Sequence, residues 1–197
     1  MAKDKNTIRA ILICSEGKTE KIFFNIIANN YDIKSRMPVW IEGEKGQLKT
    51  LIDYTVAERK KIAKKYNIRQ QNIEAWAVCD DDRRKTSYSE LCGYSKDRDV
   101  NLAYSRPQFE SYLLQHFEQS KDKKRETIFK KLSHIAKANG SNEGYRKNSL
   151  EWLENLVSQD DRTIDIGIVN ANMRQKRNEI PFFTVQNLTE RLKKLKF

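Results

Sequence analysis

Two apolar runs of strand length each stop abruptly at acids. Ile8 to Cys14 gives way to Ser15-Glu16-Gly17-Lys18-Thr19-Glu20, and Ile73 to Cys79 gives way to Asp80-Asp81-Asp82. Runs this continuous predict strands buried on both faces rather than half-exposed ones. After the first, Gly17 is expected to give the turn backbone freedom. Thr19 is expected to cap a helix with Ile22, Phe23, Ile26 and Ile27 on one face, closed by Asn29-Asn30. Pro38 to Ile41 reads as a short second strand and Gly43 to Gly46 as a turn. Gln47 to Tyr66 reads as a long amphipathic helix, with Leu48, Leu51, Ile52, Val56 and Ile62 inward and Glu58 to Lys61 largely solvated. The loop from Arg83 to Ser89 leads into a short helix, and Val100 to Tyr104 forms a fourth strand. Strands alternating with helices predict a parallel sheet covered on both faces.

Beyond that point the pattern is helical. Pro107 suits the first turn of a helix running to Phe117. Helices are expected over Lys121 to Asn139, Arg146 to Ser158 and Ile164 to Gln175, the last despite Gly167. A final one, capped by Thr184, carries Val185, Leu188, Leu192 and Leu195 on one face. The expected fold is α/β: a parallel sheet of about four strands over residues 1–118, with a helical C-terminal extension, 119–197, packed on it. No internal repeat or low-complexity tract interrupts the pattern.

The acids carry the candidate chemistry. In an open parallel sheet, ligands bind beyond the carboxyl ends of the strands. If the two acid-ending strands are neighbours, Glu16 meets Asp80 to Asp82 at one edge. Side chains alternate along an extended segment, so Asp80 and Asp82 share a side and Asp81 points elsewhere. Converging carboxylates repel unless a cation neutralises them, and an oxygen-only set suits Mg²⁺ or Mn²⁺. Glu16, Asp80 and Asp82 are therefore the expected metal ligands, with Glu16 also suited to general-base work. Glu20 fits the ordinary role of a first-turn acid that favours the helix dipole. The sequence Gly17-Lys18-Thr19 is not a P-loop, because the position five before Gly17 is Leu12. Lys18 is expected to steady a phosphate beside the metal, and His116 to serve as an acid or a phosphate contact.

Charge enlarges this picture. The 197 residues carry a net charge of +11 with 38% apolar content, which favours a polyanionic partner such as nucleic acid. Arg83, Arg84 and Lys85 adjoin the acids and are expected to face the substrate. The other basic clusters, Lys121 to Arg125, Tyr145-Arg146-Lys147 and Arg174 to Arg177, read as ordinary solvated faces. Cys14, Cys79 and Cys92 show no Cys-x-x-Cys spacing, and two of them sit on buried strands, so a reducing compartment is expected. The polar start, Met1 to Asn6, is no signal peptide, and no apolar run approaches the roughly 20 residues of a membrane span. A cytoplasmic protein with no membrane partner is expected.

A strand ending in Glu16-Gly17 followed by one ending in Asp80-x-Asp82 resembles a Toprim domain. With Ala103-Tyr104-Ser105-Arg106-Pro107-Gln108-Phe109-Glu110-Ser111-Tyr112-Leu113-Leu114-Gln115-His116-Phe117, the chain resembles the RloB-like family, from about Ile8 to the final helix. The third segment is its most specific part. The resemblance implies a Toprim-type nuclease of bacterial abortive-infection (phage-defence) systems. It also implies a catalytic role for Glu110, an AAA-type ATPase as partner, and RNA such as tRNA as readily as DNA for substrate. Where the family usually reads Ser-Asn-Pro, this chain has Arg106, which adds a positive charge toward the substrate. Tyr145-Arg146-Lys147 resembles a Tyr-x-Lys pattern of the family.

The function expected is metal-dependent cleavage of nucleic acid phosphodiesters, with Glu16, Asp80, Asp82 and Glu110 at the chemistry. Lys18, Arg83, Arg84, Lys85, Arg106 and His116 would face the substrate. The alternative is a non-catalytic Toprim-like subunit that binds nucleic acid or a nucleotide and regulates its ATPase. The sequence is compatible with a homo-oligomer in either case.

Overall fold

The computed structural model describes residues 8–81, 86–176 and 178–195. Its centre is a five-stranded sheet in the order β2-β1-β3-β4-β5. The strands are β1 (Ala10–Ser15), β2 (Val39–Glu42), β3 (Ile73–Asp80), β4 (Asn101–Arg106) and β5 (Phe182–Phe183). The first four run parallel, and β5 closes the edge antiparallel to β4. The fold is thus the α/β sheet flanked by helices that the alternation predicts, and it is consistent with the Toprim-like fold that the resemblance implies. The fifth strand escapes the sequence pattern because two phenylalanines are too short to show a period.

Alternation within the strands explains why both apolar runs had to be continuous. Ile11, Ile13, Trp76, Val78 and Ala103 face α1 (Lys18–Asn30) and the helices that follow β4. Ala10, Leu12, Cys14, Ala75, Ala77, Cys79 and Tyr104 face α2 (Leu48–Tyr66) and α3 (Tyr88–Lys96). Each strand of the centre therefore buries both sets of side chains, as parallel sheets do. Cys14 and Cys79 are buried in this role as expected, and burial pushes the Cys14 thiol up to about 12.

Behind the first face stand α4 (Phe109–Gln115), α5 (Arg125–Ala138), α6 (Glu151–Gln159), α7 (Arg162–Asn172) and α8 (Gln186–Lys193). They share one apolar cluster with α1, so the helical C-terminal residues complete the core of the sheet rather than forming a second one. No helix among the described residues is long and apolar enough to cross a membrane.

Several local expectations give way to tertiary contacts. Thr19 does not cap α1. Gly17 is the capping residue, and Thr19 lies inside the first turn with its hydroxyl on Asn148. Gly17 has φ −118°, open to any residue, so it is not backbone freedom that calls for glycine here. Thr184 does not cap α8 either. Its hydroxyl accepts from the Tyr104 N–H at 3.1 Å and so ties the chain to β4. Pro107 precedes α4 by two residues instead of opening it. The segment 146–150, expected as helix, is a loop with Asn148 at φ 65° and a bridge between Arg146 and Ser149.

Arg59 departs furthest from the solvated reading. It falls on the inward stripe of α2, one turn beyond Thr55, and is only 6% exposed. Its guanidinium donates to the carbonyls of Arg98 (2.9 Å) and Asp99 (2.6 Å) and pairs with the Asp99 carboxylate at 3.0 Å. A buried arginine is tolerable when it is hydrogen-bonded in this way.

Gly167 of α7 packs against His116, the residue that follows α4. A methyl group at Gly167 would stand 2.4 Å from Cδ2 of the buried His116 ring. Gly167→Ala should therefore cost about 1–3 kcal/mol by overpacking and lower the thermal midpoint by several degrees. An unchanged melting curve would mean that the two helices do not meet at this glycine.

Candidate active site

The register of the sheet brings the acid-ending strands together. β1 and β3 are neighbours with Ser15 opposite Val78, and the Glu16 N–H donates to the Val78 carbonyl at 3.0 Å. Asp80 continues the side of β3 used by Trp76 and Val78, which is the side of α1 and α4. Asp81 continues the other side, where it accepts from the Tyr104 hydroxyl at 2.7 Å and from Arg106 Nε at 2.9 Å. The expected opposition of Asp80 and Asp81 thus holds. Asp82, Arg83, Arg84 and Lys85 lie outside the described residues.

At this edge Glu16, Glu20, Asp80 and Glu110 line one pocket of about 320 Å³, with the exposed Glu44 also bordering it. The four acids come from four places: the turn after β1, the first turn of α1, the end of β3 and the first turn of α4. Lys18, Arg125 and Lys147 supply its positive charge, and Thr19, Gln47, Gln108 and Asn148 its neutral polar groups. The sequence reading assigned Glu20 to the helix dipole. The structure buries it to 5% exposure and turns it into the pocket. A local signal for this existed, because side chains in the first turn of a helix lean back toward its N-terminus, here the carboxyl edge of the sheet. The clusters Lys121 to Arg125 and Tyr145 to Lys147, read from sequence as ordinary solvated faces, instead bring Arg125 and Lys147 to the pocket from far along the chain.

Crowding shows in the proton affinities. Burial, and then the negative charges of Glu110 and Glu16, push the Glu20 carboxyl up to about 7. Asp80 is also raised well above the usual carboxylate range, first by burial and then by Glu20 and Glu110, while a hydrogen bond from the Phe109 N–H works the other way. Asp80 Oδ1 has no hydrogen-bond partner among the described residues. Glu110 is better provided for: Tyr145 donates its hydroxyl to Oε1 at 3.2 Å, and Lys147 Nζ stands 3.2 Å from the same oxygen. The small residue at Gly17 follows from this crowding, since a methyl group there would lie 2.5 Å from Glu20 Oε2.

The donor set suits a hard divalent cation: oxygens only, partly dehydrated and in excess negative charge. Among the described residues no three acid, histidine or cysteine side chains close on a single point.

Two residues expected to face the substrate do not line this pocket. Arg106 is paired with Asp81. His116 is 1% exposed, with its ring edge-on to Phe23 and Tyr112 and its Nδ1 on the carbonyls of Tyr112 and Leu113. Burial lowers its pKa to about 4, so it is a neutral core residue at physiological pH.

The family described as RloB-like protein matches residues 11–192, nearly the whole chain, and the chain belongs to that family. No curated protein and no solved structure matches it.

The raised Glu20 carboxyl makes stability depend on pH. An acid whose folded pKa exceeds its unfolded value stabilises the fold below the unfolded pKa, and that contribution is lost as pH rises through the folded one. In the absence of divalent ions, stability should fall by on the order of 3 kcal/mol at most as pH rises from about 4.5 to about 7, and the thermal midpoint should fall with it. Glu20→Gln should flatten this slope in melts recorded across the same range. A variant that keeps the wild-type slope would show that Glu20 does not titrate in this window.

Proposed function

We propose that this member of the RloB-like family is a metal-dependent nuclease that hydrolyses phosphodiester bonds of nucleic acid. We further propose that it acts in phage defence as a toxic effector alongside an AAA-type ATPase. The observation that carries the reading is the convergence of Glu16, Glu20, Asp80 and Glu110 on one pocket bordered by Lys18, Arg125 and Lys147. Such a concentration of buried negative charge costs folding free energy, and a cation together with a phosphate substrate would offset that cost.

Glu16 and Asp80, on adjoining strand ends, would hold one Mg²⁺ or Mn²⁺ ion, with Asp82 as a further ligand. Such an ion supplies Lewis-acid charge and makes a bound water more acidic. Glu20, in the pocket beside them, would take the proton of the attacking water. Lys18 and Arg125, both exposed at the pocket, would bind the backbone phosphates as charged surfaces do. The net charge of +11 draws a polyanion toward this edge. Gln108 and Asn148 would orient the strand by hydrogen bonds.

The test is an incubation of the purified chain with tRNA, single-stranded DNA and plasmid in Mg²⁺ or Mn²⁺. Cleavage should vanish in EDTA and fall at least about 100-fold in Asp80→Asn and in Glu20→Gln. Addition of Mg²⁺ should raise the thermal midpoint of the wild type and leave that of Asp80→Asn nearly unmoved. Cleavage that survives both EDTA and Asp80→Asn would refute a metal mechanism at this pocket. Nucleic acid binding without turnover, alone or with the ATPase, would instead favour a regulatory subunit.

Gly17→Ala gives a milder test of the same site. Because the added methyl meets only the end of the Glu20 side chain, the variant should fold with an almost unchanged melting curve. Its turnover should drop about 10-fold or more as Glu20 is displaced.

A further inference from the structure

Along α1, Lys18, Lys21, Ile22, Asn25, Ile26 and Asn29 recur at helical spacing and line one flank of the helix. This flank forms one side of a groove of about 260 Å³. Lys18 and Glu44 border both the groove and the acid pocket, so the two adjoin. The facing wall is the turn after β2. Gly43 passes so close to α1 that a methyl group there would stand 3.0 Å from Lys21 Cβ and 3.1 Å from the Gly17 carbonyl oxygen. Glu44 follows in left-handed backbone, at φ 60°. The turn is tied to the end of β1. Ser15 Oγ lies 2.8 Å from the Gly17 carbonyl and 3.2 Å from that of Glu42, and the Lys45 N–H donates to the Ser15 carbonyl at 3.3 Å. Backbone contacts thus set the width of the groove.

The lining differs from that of the acid pocket. Ile26 is buried and Ile22 half-buried, and both pack into the core, so they give the groove a fixed apolar floor. The Asn25 amide donates to the Lys21 carbonyl at 2.8 Å, and its oxygen accepts from the Lys34 ammonium at 2.8 Å. That leaves Asn25 oriented, with a second N–H on its amide. Lys18 and Lys21 are matched by two exposed acids, Glu44 and Glu154. A phosphate would gain little here, because both acids repel it. A flat neutral ring fits better: Ile22 and Ile26 cover its face, while Asn25 and the carboxylates meet the amino and carbonyl groups of its edge. The volume of about 260 Å³ falls just under the roughly 300 to 1,000 Å³ of sites for drug-sized ligands, which suits a single heterocycle. Resting on the nuclease reading above, we propose that this groove takes one unpaired nucleobase of the substrate, beside the phosphate that Lys18 holds at the acids. The substrate at the site is then single-stranded or locally opened RNA or DNA, because a base within a duplex has its edge paired and its faces stacked.

The test is binding of end-labelled oligonucleotides to the full chain, read by fluorescence anisotropy with Ca²⁺ in place of Mg²⁺ so that the strands stay intact. The probes are a single strand and the same strand paired with its complement, each as RNA and as DNA, and a sugar–phosphate strand of equal length without bases. Charge alone would favour the duplex, whose phosphates are denser. The groove predicts the reverse, with the single strand bound about 10-fold more tightly than either the duplex or the base-free strand. Ile22→Asn and Asn25→Ala, with melting curves to verify folding, should remove most of that preference and leave the affinity for the base-free strand unchanged. Equal affinity for strands with and without bases, or a duplex bound as tightly as the single strand, would overturn the proposal and leave the nuclease reading standing. A preference that both variants retain would put base recognition elsewhere on the chain and overturn it too. Displacement of the strand by mononucleotides at micromolar concentration would make the groove a nucleotide site instead. No binding of any probe would remove the nuclease reading along with the proposal.

Discussion

Four carboxylates held at one edge of a sheet are the constraint that organises this molecule. Glu16, Glu20, Asp80 and Glu110 share a pocket of about 320 Å³, and burial, followed by their mutual repulsion, raises the proton affinity of Glu20 and Asp80. Nothing local favours such a cluster. It persists because each acid is fixed by packing elsewhere: β1 and β3 by their ladder, and α1 and α4 by a buried aromatic contact. Phe23, one turn after Glu20, meets Phe109, the residue before Glu110, edge to face at 5.5 Å. The same ring meets His116 at 5.3 Å. The helices carrying two of the acids thus cannot separate without opening the core.

The opposite side of the β3 terminus shows how the strand end is anchored. Asp81, turned away from the pocket, takes hydrogen bonds from Tyr104 and Arg106, and its own N–H donates to the Ser105 carbonyl at 2.9 Å. Adjacent aspartates therefore meet opposite conditions. Asp81 has a buried hydroxyl and a guanidinium to satisfy it, whereas Asp80 has a carboxylate oxygen without a partner among the described residues. One carboxylate is satisfied on both oxygens by side chains, and the other only in part, by the Phe109 N–H.

The charge distribution also separates roles. In a chain with net charge +11, the acids of the pocket have Lys18 and Arg125 exposed around them. Arg59 shows that a basic residue can be structural even on a polar stretch, since it holds the turn before β4 through two carbonyls. Lys147 is different, being tied to a buried acid yet half exposed. Exposure and partner together, rather than the mere presence of charge, distinguish the two.

The periodicity and the acids by themselves determined the α/β alternation, the parallel direction of the central strands, and that Glu16 and Asp80 end strands at the same edge of the sheet; that those strands are neighbours was decided by the tertiary structure. The alternation, the direction and the shared edge are legible because a strand buried on both faces must be continuously apolar, and because parallel strands deliver their carboxyl ends to one edge. The opposite facing of Asp80 and Asp81 follows from the two-residue period of extended chain. Only the tertiary structure decided that Glu20 belongs to the pocket and that His116 belongs to the core. It alone placed Arg106 on Asp81, and Tyr145 and Lys147 on Glu110. Those placements depend on contacts between residues 25 to 129 positions apart, or on a helix face set by its neighbours. A one-dimensional pattern records the period of a segment but not which distant segment it will meet.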